Sequence, residues 1–179
     1  MKTPRGLADP IKLKPARKES GIVQVIVETP KGSRNKYAYD PEQKIFALSR
    51  VLPAGMAFPL DFGFLPRTLA PDGDPLDVLL IMEEHAYPGI AVQARLIGIL
   101  EGEQTEEDGT KTRNDRLLAV AQHSQDYSGI AGLEHVPKIL LTQIEEFFAN
   151  YHRLQKRQYR PLGWKGVDAA ARSVKSARK

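Results

Sequence analysis

The chain of 179 residues contains no cysteine, which excludes disulfides, thiolate metal sites and cysteine nucleophiles. No apolar run approaches the length of a bilayer span, and no signal-peptide core follows Met1, so a cytoplasmic enzyme or binding protein is expected. His85, His123, His135 and His152 show no metal-ligand spacing, and there is no G-x-S-x-G elbow, so a nucleophile triad has little support. Neither an internal repeat nor a domain linker divides the sequence. Its composition, 41% hydrophobic and 27% charged, is ordinary for a globular chain, and its length suits one core.

The pI near 9.3 has a local origin. Residues 1–20 hold Lys2, Arg5, Lys12, Lys14, Arg17 and Lys18 against Asp9 and Glu19, which accounts for the whole net charge of +4. The remaining chain is neutral. A basic tail at 1–20 followed by a single domain at 21–179 is therefore expected, and a nucleic-acid partner is disfavoured because the basic excess is terminal.

What the sequence does contain is Asp72-Gly73-Asp74-Pro75-Leu76-Asp77, running straight into the apolar stretch Val78-Leu79-Leu80-Ile81. Gly and Pro break regular structure there, which places the acids on a loop at the mouth of a buried strand. Carboxylates this close repel one another unless a cation neutralises them, and oxygen ligands suit Mg²⁺, Ca²⁺ or Mn²⁺. A solvated acidic turn is the plain alternative. An EF-hand loop is excluded, because its fifth and sixth positions would fall on Leu76 and Asp77.

Residues 22–28, rich in β-branched side chains, read as a strand that ends at Glu28, before the turn signal Pro30-Lys31-Gly32-Ser33. Further strands are expected at 35–39, 44–51, 78–82, 91–100 and 117–121, with an irregular packed segment at 53–71. Residues 101–116, polar and charged, read as a long exposed loop. Short strands at this spacing point to a barrel or sandwich. Leu140, Ile144, Phe147, Phe148, Tyr151 and Leu154 share one face of an amphipathic helix whose first turn suits Pro137. A shorter helix is expected from an N-cap at Asp168.

The chain resembles the soluble inorganic pyrophosphatases of the metal-dependent β-barrel type (family I), whose signature D-[small or polar]-D-P-[apolar]-D followed by an apolar strand is matched at 72–77. The resemblance continues through Val27-Glu28, Lys36-Tyr37, Arg50, Phe58-Pro59 to Gly63, Leu118-Ala119-Val120, His123-Ser124 and the late helix, closing on Gly163-Trp164. It implies an α+β fold, mainly β: a small OB-like antiparallel barrel with a long C-terminal amphipathic helix and a shorter terminal one. It also implies Mg²⁺-dependent hydrolysis of pyrophosphate, with Mn²⁺ as an alternative metal, in a homo-oligomer that is often a hexamer.

By the same resemblance, Asp72, Asp77 and Glu28 would serve the metals, and Asp74 would orient and deprotonate the attacking water. Lys36, Arg50 and Tyr151 would bind the phosphoryl groups. The departures are specific. Ala38 stands where the family has Glu, Phe62 where it has Tyr, and His152 where it has Lys. Asn114 and Arg116 replace the Asp and Lys of an Asp-x-Lys element, so Asn114 is the candidate metal ligand and Arg116 the candidate substrate contact there. Asp115 would take that role if the strand slipped by one residue. Gln104 replaces another acid, in a loop about five residues longer that also holds Glu103, Glu106, Glu107 and Asp108. These losses leave an alternative: a weakened paralogue that binds a phosphorylated ligand or a protein partner.

Overall fold

The computed structural model describes residues 9–15 and 21–179. Among these residues, nine strands and two α-helices follow in order: β1 (Ile22–Thr29), β2 (Asn35–Asp40), β3 (Ile45–Val51), β4 (Asp61–Phe64), β5 (Asp77–Ile81), β6 (Ala91–Thr105), β7 (Lys111–Arg113), β8 (Arg116–Ala121), α1 (Lys138–Arg153), β9 (Gln158–Lys165) and α2 (Val167–Ala177). The strands β1-β4-β5-β8-β6 are hydrogen-bonded in that order, and β6 pairs back onto β1, so the sheet closes into a barrel. All of these pairs are antiparallel except β5–β8. The β2–β3 hairpin is a separate two-stranded sheet.

Both faces of the central strands are covered, which explains their unbroken apolar runs. Val78 and Leu80 of β5 and Leu117 and Ala119 of β8 pack with Ala170 and Val174 of α2. Their neighbours Leu79, Ile81, Leu118 and Val120 pack on the other side with Ile144, Phe148 and Tyr151 of α1. The expected helix face is thus found, with one exception: Leu154, past the helix end, is 54% exposed. Helix α2 begins one residue before Asp168, with Gly166 at the N-cap and no side-chain cap, so Asp168 sits in the first turn rather than capping it.

Two expectations about irregular segments are overturned. Within 53–71, Asp61–Phe64 is a strand between β1 and β5. Every one of its residues is buried, so it shows no alternation. Asp61 is tolerated there because its carboxylate accepts the backbone N–H groups of Lys31 (2.6 Å) and Ala86 (2.7 Å). The stretch 101–116 is no long loop either. Strand β6 runs on to Thr105 and forms a hairpin with β7, while β9 pairs along its other edge. Glu101, Glu103 and Thr105 are half-exposed, and Gly102 and Gln104 are buried between them, a period of two hidden beneath a charged composition.

The basic N-terminal stretch lies partly outside the described residues. Within it, residues 9–15 lie against the barrel: the Gln24 N–H donates to the Pro15 carbonyl at 2.8 Å, and the Arg67 N–H donates to that of Ile11 at 3.1 Å.

Candidate active site

The acidic turn is built by its own side chains. The Asp74 N–H donates to Asp72 Oδ1 at 3.2 Å, an Asx-type closure, and Gly73 takes φ +93°, open to glycine at little cost. The Ala70 N–H donates to the Asp74 carbonyl at 2.7 Å, and Thr68 Oγ1 accepts the Leu76 N–H at 2.9 Å. Strand β5 then starts at Asp77, and its parallel register sets Asp77 opposite Arg116, the first residue of β8.

A cavity of about 290 Å³ is lined by Asp72, Asp74 and Asp77 on one side and by Lys36, Arg116 and Tyr151 on the others, with Asn114 in its wall. Glu28 shares an adjoining cavity of about 180 Å³ with Lys36, Asp74 and Asp77. Arg50 lies in a third, of about 850 Å³, which also contains Tyr151. Asp72, Asp74, Asp77, Asn114, Glu28, Lys36, Arg50, Arg116 and Tyr151 thus line three cavities, of which the first two share Lys36, Asp74 and Asp77 and the first and third share Tyr151. Lys36 and Arg50 are cross-strand partners in the β2–β3 hairpin, and both approach the Tyr151 ring, at 5.7 and 5.8 Å from its centroid.

Arg116 is almost wholly buried. Its guanidinium lies 3.9 Å from the Phe148 ring centroid and 4.5 Å from that of Tyr159. Nη1 donates to the Asn114 carbonyl (2.9 Å), Nη2 donates to His152 Nε2 (3.0 Å), and Nε is 3.9 Å from Asp77 Oδ2. Nε has no hydrogen-bond partner among the described residues. Burial, with Arg116 and then Arg157 beside it, lowers the His152 pKa to about 3, so this imidazole is neutral near pH 7 and can accept from the guanidinium.

Asn114 Nδ2 donates to Gln104 Oε1 at 2.7 Å, so these two side chains meet as a buried pair of amides. No slip of one residue occurs. Asp115 points elsewhere: its carboxylate accepts the Gly102 N–H at 2.9 Å and pairs with Arg113 at 2.8 Å. Two charged residues of the acidic cavity were not marked out in the sequence as binding groups, Glu106 in the β6–β7 turn and Arg157 after the helix. Glu106 carried a signal, as one of several acids in that loop. Arg157 carried none.

Burial raises the pKa of Asp77 to about 6 and that of Glu28 to about 7, and raises that of Asp72 as well. Among the described residues, no three acidic or histidine groups converge as a ready metal cage. Hard carboxylate oxygens that resist ionisation nonetheless suit a divalent cation, which would offset their burial and mutual repulsion.

The folded pKa values of Asp77 and Glu28 lie above the ordinary values of 3.8 and 4.5, so the stability these groups contribute is full only below those ordinary values and is lost as pH rises through 6 to 7. With chelator present, the melting temperature is expected to fall between pH 5 and 8, and Mg²⁺ is expected to restore most of the loss at pH 8. A flat profile in thermal melts would contradict the buried state of these carboxylates.

The family described as Pyrophosphatase (inorganic pyrophosphatase) matches residues 25–179. The chain is 41% identical over 155 residues to an inorganic pyrophosphatase of Synechocystis sp., covering 87% of this chain and 89% of that one. It is 38% identical over 160 residues to an inorganic pyrophosphatase of Methanosarcina acetivorans, covering 89% and 92%. The crystal structure of inorganic pyrophosphatase from Thermus thermophilus superposes with a TM-score of 0.88 at 32% identity, covering 95% of this chain and 97% of that one. A match over most of the chain, in sequence and in fold, places the protein: it belongs to the inorganic pyrophosphatase family.

Proposed function

We propose that this chain hydrolyses inorganic pyrophosphate to two orthophosphates, with Mg²⁺ as the activating metal and Mn²⁺ as a substitute. The observation that carries this reading is the convergence of Asp72, Asp74 and Asp77 from one turn on a cavity walled by Lys36, Arg116 and Tyr151. A polyanion and the cations that accompany it both find complementary partners in such a space. Asp72, Asp77 and Glu28 would hold the cations, with the Asn114 side-chain oxygen as a neutral donor. Bound divalent cations would acidify a water and shield the anionic substrate from it.

Asp74, at the exposed tip of the turn, accepts the proton that water loses on attacking phosphorus. Lys36, Arg50, Arg116 and Tyr151 orient the phosphoryl groups and offset the charge that builds on the leaving phosphate. Arg116 is suited to that task because stacking on Phe148 and Tyr159 fixes its plane before substrate arrives. Orthophosphate release from pyrophosphate, with Mg²⁺ and then with Mn²⁺, tests the reading. No release with either metal from the folded protein would refute it.

The Asn114–Gln104 amide pair yields a further prediction. Asn114→Asp adds a charge to the cavity wall and is expected to raise Mg²⁺ affinity in calorimetric titration. It also sets a carboxylate against the Gln104 oxygen, so the metal-free variant should melt below the wild type and gain more on adding Mg²⁺. Unchanged titrations would remove Asn114 from the metal site.

A further inference from the structure

The Glu106 carboxylate and the Arg157 guanidinium form an ion pair at 2.7 Å across the boundary between the acidic cavity and the larger cavity that holds Arg50. Glu106 also accepts a hydrogen bond from the Gln104 side-chain amide. Apart from the three aspartates, it is the only carboxylate lining the acidic cavity among the described residues. A lone acid facing a site for a polyanion is unfavourable unless something holds it, and Arg157 does.

Arg157 is placed by the chain rather than by chance. Lys156 takes φ +58° in the turn that ends α1, and the Arg157 N–H donates back to the His152 carbonyl at 3.1 Å. The side chain is 43% exposed, free enough to exchange partners. Deeper in the same cavity, the buried Arg116 Nε has no partner among the described residues, and the neutral His152 supplies no charge. The cavity wall therefore carries two guanidinium groups, one with an unpartnered nitrogen, and the Glu106 carboxylate beside them.

We propose that Arg157 is a phosphoryl-binding residue of this site, and that Glu106 is an internal anion that holds the guanidinium until substrate takes it. This rests on the pyrophosphatase reading above. A guanidinium accepts carboxylate or phosphate in the same planar fashion, so the exchange costs little geometry. Pyrophosphate carries more charge than one carboxylate and, once bound, repels Glu106 from the site. Substrate affinity is accordingly reduced by the fraction of molecules in which the internal pair is closed.

The test uses methylenediphosphonate, a non-hydrolysable probe, titrated calorimetrically with Mg²⁺ present, beside KM for pyrophosphate. Arg157→Gln is expected to weaken the probe and raise KM by roughly tenfold or more, the loss of one charged hydrogen-bonded contact. Glu106→Gln is expected to act in the opposite direction, tightening the probe and lowering KM, with a smaller effect of the same sign once Arg157 is also Gln, because only the direct repulsion then remains to be relieved. Mn²⁺ binding without the probe should be unchanged in all three variants. If Glu106→Gln instead weakens the probe or lowers Mn²⁺ occupancy, Glu106 is a cation ligand and the proposal is overturned. Wild-type hydrolysis together with an unaltered Arg157→Gln variant overturns this inference alone. A wild type that neither hydrolyses pyrophosphate nor binds the probe overturns the reading beneath it as well.

Discussion

Asp74→Asn should lower pyrophosphate hydrolysis by about 10²–10⁴-fold, the usual worth of a positioned general base. The substitution removes a proton acceptor and almost nothing else. The turn around Asp74 is held by the main chain, whose N–H bonds Asp72 Oδ1 and whose carbonyl accepts from Ala70, and an amide side chain leaves both in place. Losing the charge also relieves Glu28 and Asp77, whose pKa values Asp74 helps to raise. The metal-free variant should therefore melt at or slightly above the wild-type temperature while its turnover collapses. Orthophosphate release and thermal melts on the same preparation check both halves. Activity within tenfold of wild type would place proton acceptance elsewhere.

The second large effect concerns stability. Gly63 lies in β4 where the strand crosses β1, and a Cβ added there would sit well inside contact distance of the Ile26 carbonyl oxygen. That atom belongs to the backbone of the barrel wall and cannot rotate away as a side-chain tip would. Gly63→Ala is expected to cost about 3 kcal/mol, at the upper end of ordinary overpacking. For a chain of this size that lowers the melting temperature by roughly 6–12 °C. Because Phe62 and Phe64 flank the position, a forced shift of β4 would also move the Phe62 ring that lines the acidic cavity, so activity should fall with stability. A melt unchanged by the substitution would show that β4 can slide without disturbing the closure.

How far the sequence disclosed this site depended on how each residue announces itself. The three aspartates were legible because a carboxylate cluster beside a Pro and a Gly is chemically unusual. Glu28, Lys36 and Arg50 are ordinary strand residues, and only the resemblance to the family singled them out. Strand β4 escaped because a four-residue segment buried on both faces has no periodicity to detect. The far half of β6 escaped because glutamates at 101 and 103 resemble a solvated loop until β9 is known to lie beside them. Arg157 illustrates the limit of sequence reading. Its importance comes from a turn after α1 and from a carboxylate far away in the chain, and neither adjacency is encoded locally.

The ring closure between β1 and β6 bears on how the molecule comes into being. Ile22 meets Arg95 and Ile26 meets Ala91, so one seam of the barrel joins segments separated by more than half the chain's preceding length. Contacts of such high order form slowly, since the loop entropy must be lost before any pairing compensates it. Glu28 and the acidic turn both lie within the loop that this seam closes, and Arg116 and Tyr151 arrive only after β6 has been laid down. During synthesis no growing fragment therefore carries a competent cavity. Catalytic competence belongs to the finished topology, and it follows both the sealing of the ring and the docking of α1, which brings Tyr151 to the cavity.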